Sequence, residues 1–368
     1  MATRVSIGFP GMHKEIGERR VFLPELIQFL ARFADVYVEE GYGSRLGFSF
    51  DDYRQGNARV HLTDREGAFQ KDYVLILRSP NNDEFQLLKP GVCLISMLHY
   101  PTRPKRVEIL QELGIKAISL DSIADDKNLR LVENMRAVAW NGLEAAFDVL
   151  EKDDRDLLQA GKPFKVVILG AGMVGKHAME AATKLGNIER NDRHMKRKGA
   201  GAVALCAGRN ITEQPEQLLK LLEEADILVD AMNRRDPSQA VVRNVWLDCL
   251  PEKAVIVDLA VDPYLVNHNP QVVRGIEGIP QGNLDQFVFS PDDPNWDATI
   301  PASIPSSCRR TVVSCYSWPG IHPTACMEHY GLQLEPLLET LLTQPYEALN
   351  LDGNYFQRAL ARAKLPQP

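Results

Sequence analysis

Six residues constrain this chain more than any others: Gly170-Ala171-Gly172-Met173-Val174-Gly175, a G-x-G-x-x-G turn. The turn directly follows the apolar run Lys165–Leu169, and the helical pattern Val174–Leu185 follows it. In that strand–turn–helix setting each glycine has a separate physical task. Gly170 permits the tight turn, Gly172 lets backbone approach a pyrophosphate, and Gly175 lets helix and strand pack closely. The N–H groups of the helix start, at Met173 and Val174, then face the phosphates. The pattern predicts a dinucleotide site built from Gly170, Gly172, Met173, Val174 and Gly175.

The sequence around the turn repeats the same alternation. Strand Ala202–Cys206, helix Pro215–Glu224, strand Ile227–Ala231, a helix near Ser238–Cys249 and strand Ala254–Leu259 complete a doubly wound nucleotide domain. Ala231 and Met232, at the end of the third of its strands, are expected to line the cofactor. The first third alternates likewise, with strands at Arg4–Gly8, Ala34–Glu39, Tyr73–Leu77, Val92–Leu98 and Ile115–Leu120 and helices at Pro24–Phe33 and Pro104–Leu113. A long helical pattern over Asn128–Lys152 joins the two halves. At 368 residues the chain is long enough for two cores. The expected fold is α/β, with two Rossmann-like doubly wound domains and an interdomain cleft. Residues 1–133 plus 303–368 form the substrate domain, and residues 134–302 the NAD(P)-binding domain. The leucine stripe Leu332–Leu342 supplies the returning helix.

The second strand of a NAD site usually ends in a carboxylate for the ribose 2′-hydroxyl. Here Ala202–Cys206 runs into Ala207-Gly208-Arg209-Asn210, which has none. A guanidinium at Arg209 suits a 2′-phosphate, so NADP is the preferred cofactor over NAD. Asp192 lies nearer the usual spacing, but Asn187–Lys198 lacks a strand's apolar run and reads as an inserted loop.

A net charge of −7 carries no footprint of nucleic-acid or anionic-membrane binding, which leaves a small-molecule partner. The sequence has neither a spanning apolar run nor a signal-peptide pattern, and a cytoplasmic protein with free thiols is expected. Cys308, Cys315, His322, Cys326 and His329 cluster near the end, but no compact C-x-x-C pair exists, so no metal site is assigned.

Several segments resemble the alanine dehydrogenase and pyridine nucleotide transhydrogenase family. Glu18-Arg19-Arg20-Val21-Phe22-Leu23-Pro24 is similar to its E-x-R-V-A-x-x-P segment, which implies that Arg20 grips a substrate carboxylate. Val74–Pro80 resembles the V-K-E-P strand end, with Arg78 where the family has a substrate-binding lysine. His99 matches the active-site histidine, and Val257–Asp262 resembles V-D-x-A-x-D, placing Asp262 at the active-site aspartate. Ala298-Thr299-Ile300-Pro301 is a looser echo of A-N-M-P. Arginine at position 78 stays charged and excludes proton transfer there. The E-R-R-V segment and missing ribose acid also resemble the N5-(carboxyethyl)ornithine synthase branch.

The physical reading of these positions is independent of the family. Two arginines suit a carboxylate, and histidine exchanges protons near neutral pH. The resemblance implies an amino-acid dehydrogenase of the alanine dehydrogenase type, acting on a 2-oxo acid through an imine, in a homo-oligomer. An opine-type synthase is the alternative enzyme. A non-catalytic nicotinamide nucleotide-binding module is the alternative of another class. The aromatic residues Trp296 and Tyr316–Trp318 are candidates to wall a larger amine pocket.

Overall fold

A computed structural model describes residues 4–13, 15–152 and 161–367. The chain divides into two compact units, one running to Asn134 and resuming at His322, the other spanning Met135–Ile321.

The first unit holds a six-stranded sheet: β1 (Ser6–Phe9), β2 (Asp35–Glu39), β3 (Val60–Thr63), β4 (Tyr73–Arg78), β5 (Cys93–Met97) and β6 (Lys116–Ser119). Its order is β3-β2-β1-β4-β5-β6, and every pairing is parallel. Strands buried on both faces read as continuous apolar runs, which is why Tyr73–Leu77 and Val92–Leu98 were legible. Cys93 and Ile95 face one core with Ile7 and Phe9, while Val92 and Leu94 face the other. The tail helix Pro323–Thr343 lays Leu334, Leu337, Leu338 and Leu341 on the first of these cores.

The second unit holds β7 (Phe164–Leu169), β8 (Ala202–Ala207), β9 (Ile227–Asp230), β10 (Val255–Asp258), β11 (Val288–Phe289) and β12 (Thr311–Ser314), in the order β11-β12-β10-β9-β7-β8. Only β11 runs antiparallel. The helix Met135–Lys152 covers one face, with Leu143, Phe147 and Leu150 in its core. Among the described residues no helix is long and apolar enough to cross a membrane.

Several expectations change. Strand β12 pairs with β10 in full register, so the second unit runs on to Ile321 instead of stopping at residue 302. The helix expected from Asn128 begins at Met135, because Leu131 N–H donates to Ile123 O (2.9 Å) and closes a local hairpin there. The supposed inserted loop is a helix, Ile188–Lys196, capped by the Asn187 side chain, which accepts from Glu189 N–H (2.9 Å) and Arg190 N–H (3.2 Å). Its buried face is polar: Arg190 pairs with Asp148 and Glu151, and His194 Nε2 accepts from Gly201 N–H at 2.6 Å. Apolar periodicity is blind to such a helix. The helix near Ser238–Cys249 reduces to one 3₁₀ segment, Asn244–Cys249.

Candidate functional site

The glycine turn leaves β7 at Gly170, whose φ of +111° lies in the region that favours glycine. A Cβ there would stand 2.4 Å from Ala231 O, and one at Gly175 would stand 1.9 Å from Gly170 O. Both positions therefore demand close backbone contact. At Gly172 a Cβ would meet nothing within 4 Å, so this backbone opens onto free space. That space is a cavity of about 630 Å³ walled by Gly170, Gly172, Ala207–Arg209, Ala231 and the loop Met232–Asp236. A cavity of this size accommodates a ligand of drug-like or nucleotide dimensions. The backbone cradle at Gly172 and the guanidinium at Arg209 are the donor set a dinucleotide phosphate requires, and the residues present fit the group. Met173, Val174 and Gly175 form the first turn of the helix Met173–Thr183 and are not among the residues that line the cavity.

Arg209 opens the short helix Arg209–Thr212, and its Nη2 donates to Asn233 O at 3.2 Å. Asp192 is exposed on the helix Ile188–Lys196 and is absent from the cavity wall. Asp262 follows Val261, whose φ is +51°, and its Oδ2 pairs with Arg234 Nη2 at 2.6 Å. No sequence signal had drawn attention to Arg234, a loop arginine with no motif around it. Beneath the cavity the ends of β9 and β10 place Asp230 and Asp258 in register. Both are buried; Asp258 pairs with buried Arg274 and accepts from Ser314 Oγ at 2.9 Å. Burial, with the neighbouring Asp258 charge adding to it, pushes the Asp230 carboxyl up to about 7.

In the first unit His99 follows β5 with φ +53° and a side chain 48% exposed. Its Nδ1 lies 3.2 Å from Asp121 Oδ2, and its backbone N–H donates to Asp121 Oδ1 at 3.1 Å. Asp121 also accepts from Ser119 Oγ at 2.8 Å. Burial works to raise the Asp121 carboxyl, but the His99 hydrogen bond and charge, with Ser119, outweigh it and hold it well below the usual range. A buried carboxylate on Nδ1 fixes the ring and leaves Nε2 as the working nitrogen. Sequence reading missed Asp121, although an acid two residues past the end of the neighbouring strand β6 was a visible signal.

Arg20 departs from its expected role. Its side chain is 3% exposed, with Nε 2.8 Å from Glu18 Oε1, Nη2 2.5 Å from Glu18 Oε2 and Nη2 3.3 Å from Glu15. The fork that was expected to hold a substrate carboxylate holds Glu18 instead. The signal was present in the sequence, because a buried arginine needs carboxylates and Glu15 and Glu18 immediately precede it. Arg78 ends β4 one-third exposed, with Nη2 2.6 Å from Glu15 Oε1. Burial raises the Glu15 carboxyl above its ordinary range, against the pull of Arg78 and Arg20.

Of the aromatic candidates, Trp296 and Trp318 are core residues and not pocket walls. Trp296 is fully buried in one core of the second unit; Trp318 is buried in the other and donates from Nε1 to Asp258 O at 2.7 Å. Thr299, in the loosely matched segment, accepts from Gln281 N–H at 2.8 Å. Cys308 donates to Asp248 at 3.2 Å, and His329 contacts Glu133 O at 2.9 Å.

Comparison with known proteins places this geometry. The chain is 26% identical over 270 residues to alanine dehydrogenase of Bacillus subtilis (strain 168), covering 68% of this chain and 70% of that protein. It is 26% identical over 246 residues to alanine dehydrogenase 1 of Staphylococcus aureus (strain NCTC 8325 / PS 47), covering 62% of this chain and 64% of that protein. In fold it is similar to a solved L-alanine dehydrogenase (TM-score 0.71, 23% identity, 98% of this chain and 94% of the other). It is also similar to a transhydrogenase from Sinorhizobium meliloti (TM-score 0.67, 17% identity, 96% and 97%). The alanine dehydrogenase/PNT N-terminal domain matches residues 12–139 and the C-terminal domain residues 158–263, where PNT denotes pyridine nucleotide transhydrogenase. The chain therefore belongs to the alanine dehydrogenase and pyridine nucleotide transhydrogenase family.

Proposed function

We propose that this protein is an NADP(H)-linked amino-acid dehydrogenase that interconverts a 2-oxo acid and an amino acid through an imine. The observation that carries the reading is the His99–Asp121 pair, a half-exposed imidazole held at Nδ1 by a buried carboxylate. Such a pair exchanges a proton at Nε2 with a carbonyl or carbinolamine oxygen without losing its orientation. Arg78, one-third exposed and permanently charged, binds the 2-oxo acid carboxylate. Arg20 acts one step back, as the partner that holds Glu18 and Glu15 in place. When bound, the nicotinamide supplies or accepts the hydride at the imine carbon. The chain holds that cofactor through the Gly170–Gly172 backbone, Ala231, Met232 and Arg209. Asp262, in the same unit as the nucleotide cavity, accepts a hydrogen bond from Arg234.

A second reading has one observation in its favour. Glu15 and Glu18 stand among the arginines expected to bind a carboxylate, which suits an amine donor with a second cation of its own. That reading is the opine-type synthase. NADPH oxidation with pyruvate and ammonia, then with added ornithine or lysine, separates the two. Efficient amino-acid formation from ammonia alone supports the dehydrogenase. A large gain with the diamino acid supports the synthase, and nucleotide binding with no turnover under either condition would sink both.

A further inference from the structure

Arg234 lies outside the glycine turn and the ribose site, in the loop that follows β9. It lines the nucleotide cavity, yet its side chain is only 5% exposed. Its Nη1 donates to Gln239 O at 2.7 Å and Pro237 O at 3.3 Å, while Nη2 donates to Val273 O and to Asp262 Oδ2. A planar fork held by three carbonyls cannot swing, so the direction in which it meets Asp262 is set by the loop. The buried Nε–H has no acceptor among the described residues. That is an unfavourable place to keep an arginine, unless the charge has a task at this spot.

Asp262 needs such a partner. It is 35% exposed and sits on a loop just past β10, where an unrestrained carboxylate samples several rotamers. One residue before Arg234, the Asn233 carbonyl receives Arg209. The dipeptide Asn233-Arg234 therefore touches the candidate phosphate-binding arginine through its backbone and the candidate active-site carboxylate through its side chain.

We propose that Arg234 is a positioning residue, which holds Asp262 in its working orientation from the wall of the nucleotide cavity. The inference rests on the reading of Asp262 and the cavity given above. A residue that acts through another loses its effect when the other is removed, and a double-mutant cycle detects this. The full chain is compared as wild type, Arg234→Lys, Asp262→Asn and the double variant, with kcat, KM and the NADPH dissociation constant measured for each. Arg234→Lys keeps the charge and loses the fork; it should lower kcat about tenfold or more and leave NADPH binding within about twofold. The double variant should be no slower than Asp262→Asn alone. Multiplicative losses, or an unchanged kcat in Arg234→Lys, overturn the proposal. So does weakened NADPH binding with normal kcat at saturation, which would make Arg234 a plain nucleotide ligand. Should Arg234→Lys not fold, Arg234→Gln takes its place in the cycle. A wild-type protein that neither binds NADPH nor turns over refutes the functional reading itself, a result distinct from all of these.

Discussion

Asp121 meets His99 twice, at the ring Nδ1 and at the backbone N–H, so one buried carboxylate sets both the ring and the left-handed turn that carries it. His99→Ala should lower turnover by about two to four orders of magnitude, the usual worth of a positioned acid–base group, without changing the NADPH dissociation constant. Near-normal turnover in that variant would leave His99 a turn residue and nothing more. At the other candidate residue, Arg209, the group at stake is a phosphate. Arg209→Ala should weaken NADPH binding by about 1–3 kcal/mol and scarcely change NADH binding. Titration of both nucleotides against both proteins tests this, and equal weakening of the two would mean that Arg209 does not read the 2′ position.

At the scale of elements, the join between β7 and the helix Met173–Thr183 depends on a contact no side chain can share. A Cβ on residue 175 would sit 1.9 Å from Gly170 O, a backbone atom that cannot rotate away. Gly175→Ala should therefore force helix and strand apart and destabilise the protein by about 1–3 kcal/mol, with nucleotide binding weakened alongside. Chemical denaturation with tryptophan fluorescence reads the first effect, and an unchanged midpoint would show that the turn relaxes more easily than its packing implies. Gly172→Ala is the control at the opposite extreme, since its Cβ meets nothing in the protein. Its effect should appear only when a phosphate occupies the cradle.

For the whole molecule, the buried charges under the nucleotide cavity tie stability to pH. Asp230 is faced by Asp258, Asp262 and Arg234, and burial with Asp258 nearby pushes it up to about 7. In the unfolded chain an aspartate ionises near pH ~4. Between those values the folded state keeps a proton that the unfolded state has released, so stability falls as pH rises and levels off above about 7. Asp230→Asn removes this dependence while its amide oxygen can still accept the Met232 N–H. The variant should melt higher than wild type at pH 8, and the gap should close toward pH 4. A gap that is constant across the range would show that Asp230 does not carry the proton.

Local chemistry by itself determined much of this protein. Strands buried on both faces must be apolar throughout, and a turn that admits a phosphate must be glycine; both constraints act within a few residues and are visible there. The parallel sheets, the glycine cradle and the position of His99 at a strand end were legible for that reason. Tertiary structure decided what each polar group meets. Arg20 looked like an open carboxylate grip and is instead buried against Glu18, and Trp296 and Trp318 looked like pocket walls and are core. The helix Ile188–Lys196 buries Arg190 and His194, so its inward face gave no apolar period. The pairing of β5 with β6 chose His99 as the partner of Asp121, and Arg234 became visible only when the loop after β9 brought it against Asp262. A charge takes its meaning from its partner, and partners far apart in sequence are chosen by the fold.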